Sequence, residues 1–228
     1  MICGGAESAL SPICFAGFNQ MKALATKFLD EPEKASRPWD TQRSGFVMGE
    51  GAGILILEEY EYAKTRNAPI LCEFVGFGAS GDAYHLSSPP PDGEGAARSM
   101  KMALETAGLQ KEEIGYINAH GTSTDIGDIT ETKAIKTIFG SHAYKLNISS
   151  TKSMTGHLLG GAGGVEAVFS VMALVTGMIP PTINLVAPGP QCDLNYTANE
   201  KVSRDLVAVL SNSFGFGGTN CTLAFKKL

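Results

Sequence analysis

Two short segments of the sequence each place a histidine at a position that suits catalysis. His120 follows a predicted strand, and Gly121 and three hydroxyl residues come directly after it; α/β folds place catalytic groups at such strand ends. His157 ends segment 152–157, which lies at the mouth of a predicted apolar helix. A single histidine is more often structural than catalytic, so only the combination of the two segments indicates an active site.

A glycine-rich turn at residues 212–220 is the third unusual segment. Its glycines allow a ligand to approach the backbone closely, and its N–H groups could hold an anion. The turn lacks the GxGxxG spacing of dinucleotide-binding folds, and residues 48–53 lack the Gly-Lys-Ser/Thr end of a P-loop. No GxSxG nucleophile motif occurs.

Strand and helix patterns alternate along the chain, which predicts a layered α/β fold. The predicted strands are residues 52–57, 70–79, 114–119, 146–149, 206–212 and 220–226. The predicted helices are residues 11–28, 95–107, 128–139 and 157–178. The continuous apolar run of residues 52–57 indicates a fully buried strand, and the last two strands are expected to pair antiparallel. A weak boundary lies near residues 66–69.

Composition excludes several classes of protein. With 18 basic and 23 acidic residues the net charge is −5, so no basic cluster is available to neutralise the phosphates of a nucleic acid. The five cysteines are scattered and never in a CxxC pair, which argues against a disulfide scaffold or a zinc site and favours a reducing compartment. No secretory signal is visible.

The apolar stretch 158–178 allows two interpretations. It contains Gly160-x-x-x-Gly164, as transmembrane helix pairs often do. However, Glu166 lies inside it and no basic flank follows, so a buried helix packed closely on a sheet is favoured over a membrane span.

In their order along the chain, the three unusual segments closely resemble the β-ketoacyl-acyl-carrier-protein synthases of the thiolase-like superfamily. The matching segments are NAHGTST at 118–124, KSMTGH at 152–157 and NSFGFGGTN at 212–220, with support from 43–51 and 80–85. The resemblance covers essentially the whole chain. It implies a layered αβαβα fold, with residues 1–66 as the tail of the N-terminal half and 67–228 as the C-terminal half.

The resemblance also implies an activity, the decarboxylative condensation of malonyl-carrier protein with an acyl thioester. The long-chain type II enzyme of fatty-acid elongation fits best. Polyketide ketosynthases share the same motifs, and non-catalytic chain-length-factor subunits share the fold, so both remain alternatives. The implied partners are an acyl carrier protein and a second copy of the chain, without nucleic acid, nucleotide, flavin or functional metal. The implied location is the cytoplasm in a bacterium, or a mitochondrion or plastid in a eukaryote.

Site roles follow from the same resemblance. His120 and His157 are expected to donate N–H groups, as neutral imidazoles, to the oxygen of an enolate. Lys152 is the third implied catalytic residue, a buried lysine that orders the hydrogen bonds and charge of the site, and Glu166 is its implied buried partner. Glu166 and Asp82 are implied to support the site. The implied substrate-binding residues are Thr122 and Thr124 at the pantetheine arm, Phe216 as the gate of the acyl pocket, Phe214 and Gly217.

The family's nucleophilic cysteine has no counterpart in this sequence, because none of the five cysteines lies in the matching motif. The chain is therefore expected to be inactive in condensation by itself. It is also expected to expose a large apolar face, because residues 52–57 and 157–178 are apolar on nearly all sides.

Overall fold

Strands and helices alternate along most of the chain. A computed structural model describes residues 1–228. The strands are β1 (Ile2–Glu7), β2 (Gly51–Ile56), β3 (Glu73–Gly81), β4 (Ile114–Asn118), β5 (Asn147–Ser149), β6 (Met178–Ile179), β7 (Val202–Ser203), β8 (Ala208–Gly215) and β9 (Thr219–Lys226). The helices are α1 (Pro12–Gln20), α2 (Tyr60–Thr65), α3 (Glu94–Ala107), α4 (Asp125–Phe139), α5 (Lys152–Thr155) and α6 (Ala162–Thr176).

The central sheet has five strands in the order β3-β9-β8-β4-β5. Strand β4 is parallel to both of its neighbours, whereas β9 is antiparallel to β8 and to β3. The antiparallel pairing of the last two strands is therefore confirmed, and β8 runs three residues further than its sequence pattern indicates. Because β4, β5 and β8 are parallel, their carboxyl ends meet at one edge of the sheet, where ligands bind in such folds.

Two hydrophobic clusters cover the two faces of this sheet. One face packs against α3 and α4, with Met100 and Ile135 fully buried. The other packs against α6 through Val171 and Leu174. Helix α6 in turn packs against the small antiparallel sheet of β1 and β2. The layers thus follow the order helix, sheet, helix, sheet, and the predicted layered α/β fold is confirmed.

Glycines allow helix α6 to lie directly on the β1–β2 sheet. A Cβ atom at Gly53 would lie 2.2 Å from the backbone nitrogen of Val165, and one at Gly164 would lie 2.4 Å from the carbonyl oxygen of Gly53. No side chain fits at either position without moving backbone. The apolar stretch predicted to be a buried helix is indeed long and apolar enough to cross a membrane by length and composition, but here it is packed between two sheets.

The prediction that residues 52–57 form a fully buried strand is wrong. In β2 only Gly53 is buried, while Ile54 and Ile56 are 54% and 75% exposed. Ile2, paired with Ile56 across the two strands, is 75% exposed as well. Helix α6 covers one face of this small sheet and nothing in the chain covers the other, so the expected apolar face is present.

The prediction of one helix over residues 157–178 is also wrong at its start. Helix α6 begins at Ala162, and His157 lies before it in extended backbone that forms an isolated bridge with Met48. Gly156 and Leu159 both have positive φ, 70° and 49°, which a continuous helix does not accommodate. Similarly, α1 ends at Gln20 instead of residue 28, because Lys22 adopts a φ of 55°.

Candidate active site

A cavity of about 880 Å³ opens at the carboxyl edge of the central sheet. The loop after β4, the turn between β8 and β9, and residues 87–90 contribute to its walls. His120 and His157 both line it, with Thr122, Thr124, Phe214 and Phe216. The structure therefore brings together the three segments singled out in the sequence.

The two histidines face one another inside the cavity. Their ring centroids are 5.3 Å apart and the ring planes are nearly perpendicular. Phe46 lies edge-on to His157 at 5.2 Å, and Phe214 lies 5.7 Å from His120. Aromatic rings thus pack against each of the two histidines.

Hydrogen bonding fixes which nitrogen of His157 carries its proton. The backbone N–H of Leu159 donates to Nδ1 of His157 at 3.2 Å, so in the neutral ring the hydrogen must be on Nε2. Burial, reinforced by the charge of Lys152, lowers the pKa of His157 to about 3. Burial also holds the pKa of His120 well below its ordinary value, with smaller contributions from Lys152 and His157. Both rings are therefore neutral N–H donors at physiological pH.

Lys152 and Glu166 form a buried ion pair beneath the histidines. Both side chains are almost fully buried and the ammonium donates to Oε1 of Glu166. Burial raises the pKa of Glu166 to about 7, and the ammonium opposes that rise. Lys152 does not line the cavity, so its influence on the histidines is electrostatic.

Glu131 is a site residue that the sequence did not reveal. Its carboxylate is buried and accepts the backbone N–H groups of His120 at 3.0 Å and Gly121 at 2.8 Å, and also the amide of Asn212 at 3.1 Å. Burial raises the pKa of Glu131, which these donors oppose. This residue fixes the backbone that carries His120. Its only sequence signal is its place on the face of α4 that also carries Ala134 and Ile135.

The threonines and the turn between β8 and β9 form the outer part of the cavity. The hydroxyls of Thr122 and Thr124 lie 3.0 Å apart. Phe216 is 47% exposed at the tip of the turn. Gly217 does not line the cavity; instead its N–H donates to the carbonyl of Leu86 at 2.7 Å.

Asp82 attaches the loop after β3 to this turn. Its backbone N–H donates to Gly218 at 2.8 Å, and its carboxylate accepts the amide of Asn220 at 2.7 Å. Asp82 also lines the cavity. Asp82 thus links the loop after β3 to the turn between β8 and β9 at the border of the cavity.

A segment at residues 36–49, here called the crossing segment, contacts both histidine loops. The backbone N–H of His157 donates to Val47 at 2.7 Å, and the N–H of Gly49 donates back to His157 at 2.9 Å. The N–H of Gly45 donates to Ser123 at 2.9 Å. The crossing segment carries none of the predicted site residues, yet it supports both loops.

Three of the five cysteines, Cys72, Cys192 and Cys221, lie where burial disfavours the reactive thiolate. Only Cys221 lines the cavity, and burial raises the pKa of its thiol. Burial likewise raises the pKa values of Cys72 and Cys192 to about 11. Since the thiolate is the reactive form, a raised pKa makes these three thiols poor nucleophiles for condensation. No three His, Cys, Asp or Glu side chains converge as a metal site.

Comparison with known proteins identifies relatives along the whole chain. The model of the beta-ketoacyl synthase C-terminal domain matches residues 71–186, and that of the N-terminal domain matches residues 1–63. The chain is similar to the 3-oxoacyl-[acyl-carrier-protein] synthase 2 of Synechocystis, with 56% identity over all of this chain and 54% of the relative. Its counterpart in Coxiella burnetii is 54% identical over 55% of its length.

Solved structures agree with this relationship. A type II polyketide ketosynthase in complex with its acyl-carrier protein superposes on the chain with a TM-score of 0.98 at 38% identity, covering all of this chain and 56% of that one. A β-ketoacyl synthase from Burkholderia phymatum gives 0.93 at 42%, over all of this chain and 54% of that one. The chain spans about half the length of the curated relatives it matches. On the family models, the sequence identities and the shared fold, this chain belongs to the β-ketoacyl synthase family.

Proposed function

We propose that this chain supplies the decarboxylation site of a 3-oxoacyl-acyl-carrier-protein synthase of fatty-acid elongation. The observation that carries the proposal is the facing pair of neutral histidines, His120 and His157, in the wall of the cavity. Curated relatives at 50–56% identity have this activity in their names, which supports fatty-acid over polyketide synthesis.

Decarboxylation of a malonyl thioester requires that the site stabilise the negative charge of the enolate that forms. When malonyl thioester loses carbon dioxide, the electrons of the broken C–C bond form an enolate whose charge collects on the thioester oxygen. Two N–H donors directed at that oxygen stabilise it without transferring a proton. One such donor typically changes the rate by about 10²–10³-fold.

The carbon of the enolate then attacks an acyl group held as a thioester on a cysteine, forming the new C–C bond and releasing the thiolate. Burial raises the thiol pKa values of Cys72, Cys192 and Cys221, which argues against these residues. Cys3 and Cys14 do not line the cavity. We therefore place the acylated cysteine outside these 228 residues, as the family resemblance implies. Phe216, at the mouth of the cavity, would control access to it.

The substrates arrive on an acyl carrier protein, whose pantetheine arm would be held by Thr122 and Thr124. One structural relative is a ketosynthase in complex with such a carrier protein, which supports this partner. We further propose a homodimer. We place the protein in the cytoplasm of a bacterium, or in a mitochondrion or plastid of a eukaryote. A non-catalytic chain-length-factor role is less well supported, because such a subunit has no need of two neutral histidines that face one another in a cavity.

Release of carbon dioxide from malonyl-carrier protein tests the proposal. The 228-residue chain is compared with its His120→Ala and His157→Ala variants, and with His142→Ala as a matched control, because His142 lies outside the cavity. Each cavity variant should lower the rate about 10²–10³-fold, and the control should leave it unchanged. Normal release from either cavity variant would contradict the proposed role of the pair.

Condensation is tested in a chimera that joins the preceding part of the Synechocystis relative to this chain. The chimera should form 3-oxoacyl product, whereas the 228-residue chain alone should form neither product nor a covalent acyl-enzyme. Acylation of the chain alone would show that one of its own cysteines is the nucleophile.

A further inference from the structure

The loop that carries the threonine pair needs support from outside itself. Ser123, between the two threonines, is fully buried and adopts a φ of 69°. This left-handed conformation is unfavourable for a residue with a side chain, and it persists only where the surroundings hold it. The direction of the two hydroxyls therefore depends on what packs against the loop.

Arg43 of the crossing segment provides that support. Its side chain is only 4% exposed. Its Nε donates to the carbonyl of Thr124 at 3.2 Å, and its Nη2 donates to the carbonyl of Asp125 at 2.9 Å. Its Nη1 donates to Asp40, within the crossing segment, at 2.7 Å. One guanidinium thus joins the crossing segment to the backbone that carries the threonines.

A buried carboxylate completes the connection. Asp128 lies 3.5 Å from Nε of Arg43 and is fully buried. It accepts the backbone N–H of Ser123 at 3.1 Å and that of Trp39 at 2.8 Å. Burial raises the pKa of Asp128 to about 7, while the Trp39 N–H and the Arg43 guanidinium oppose that rise. Asp128 therefore holds Ser123, while Arg43 holds the next residue, Thr124.

The site is built for an arginine. A guanidinium has five N–H groups in a rigid plane and can bond three carbonyls at once, whereas an ammonium is a compact charge without that fixed geometry. Gly189 makes room for it, because a Cβ there would lie 2.6 Å from Nη1 of Arg43.

We propose that Arg43 is a positioning residue for substrate binding, which holds the hydroxyls of Thr122 and Thr124 in the orientation that binds the amides of a pantetheine thioester. The inference rests on the proposed function, since the threonines are assigned there to the pantetheine arm. Arg43 itself does not line the cavity, so it acts only through the loop.

The test measures the affinity of the 228-residue chain for pantetheine by ligand-observed NMR, which needs no catalysis. Arg43→Lys should weaken binding about tenfold, the effect of losing roughly one net hydrogen bond. Arg37→Lys is the matched control. Arg37 is equally buried in the crossing segment, but its guanidinium bonds Asp40 and Lys34 and not the threonine loop. This control should bind pantetheine within twofold of the wild type.

Two further variants separate positioning from general loss of structure. In a Thr122→Val/Thr124→Val background, Arg43→Lys should have no additional effect on pantetheine binding, whereas a collapse of the cavity would weaken it further. Gly189→Ala keeps the arginine but displaces its guanidinium, so it should weaken binding in the same direction without removing a charge.

Wild-type affinity in Arg43→Lys, or no binding of pantetheine by the wild-type chain, would overturn the inference. Failure of the proposed function has a different signature, because wild-type chain would then bind pantetheine but release no carbon dioxide from malonyl-carrier protein.

Discussion

The tautomer of His157 leads to a prediction that distinguishes two amide substitutions. Nδ1 of His157 accepts the N–H of Leu159, so Nε2 is the atom that can donate into the cavity. The amide nitrogen of a glutamine reaches about as far as Nε2, whereas an asparagine reaches only about as far as Nδ1. His157→Gln can therefore keep the donor, and His157→Asn cannot.

The expected changes in decarboxylation rate follow from the loss of one hydrogen-bond donor to the enolate oxygen. His157→Asn should lower malonyl decarboxylation about 10²–10³-fold, as removal of an oxyanion donor does. His157→Gln should stay within about tenfold of wild type, since an off-centre amide still donates one N–H.

The assay is release of labelled carbon dioxide at saturating malonyl-carrier protein, with thermal unfolding of each variant as a check on folding. That check matters because the Leu159 N–H needs an acceptor in every variant. If His157→Asn retained as much activity as His157→Gln, the assignment of Nε2 as the donor would be refuted.

Three further outcomes are expected. Lowering the pH from 6.5 to 4.5 should reduce the free energy of unfolding by about 2 kcal/mol through His157 alone, because the unfolded chain, with a histidine pKa of about 6.5, binds a proton that the folded chain, with a pKa of about 3, does not bind. Urea unfolding should show that His157→Gln loses this part of the pH dependence. Phe216→Ala in the Synechocystis chimera should slow acyl loading more than decarboxylation. Acyl loading rates equal to those of the unsubstituted chimera at every acyl length would contradict gating. The chain alone should self-associate through its apolar face in sedimentation, and Ile54→Lys with Ile56→Lys should shift it toward monomer, because both side chains are more than half exposed.

Much of the site could be predicted because its chemistry lies at the ends of strands. His120 follows β4, and the glycine turn joins β8 to β9, so local pattern and position agree. The pairing of Lys152 with Glu166 also follows from the sequence resemblance together with the cost of leaving a carboxylate among apolar neighbours. In each case a short stretch of sequence carries the information.

Other features depend on contacts that a local pattern does not encode. The run at residues 52–57 has the composition of a strand buried on both faces. Its burial depends on which other elements pack against it, and α6 covers only one face. The apolar pattern predicts too early a start for α6, because it continues through Gly156 and Leu159, whose positive φ angles are set by packing against the crossing segment. The sequence does not reveal Glu131, because two of its three partners are backbone N–H groups and the third, Asn212, is distant in the chain.

The crossing segment contributes to the site by holding other loops in place, although it carries none of the predicted site residues. It forms a bridge with His157 through Val47 and Gly49 on one side and holds the threonine loop through Arg43 on the other. A Cβ at Gly49 would lie 2.5 Å from the carbonyl of Thr155, so the close bridge to His157 requires glycine there. Donors to a developing charge are effective only when they are held in place before the reaction begins. The crossing segment thus joins the His157 loop to the loop that carries Thr122 and Thr124, through backbone atoms and a single guanidinium.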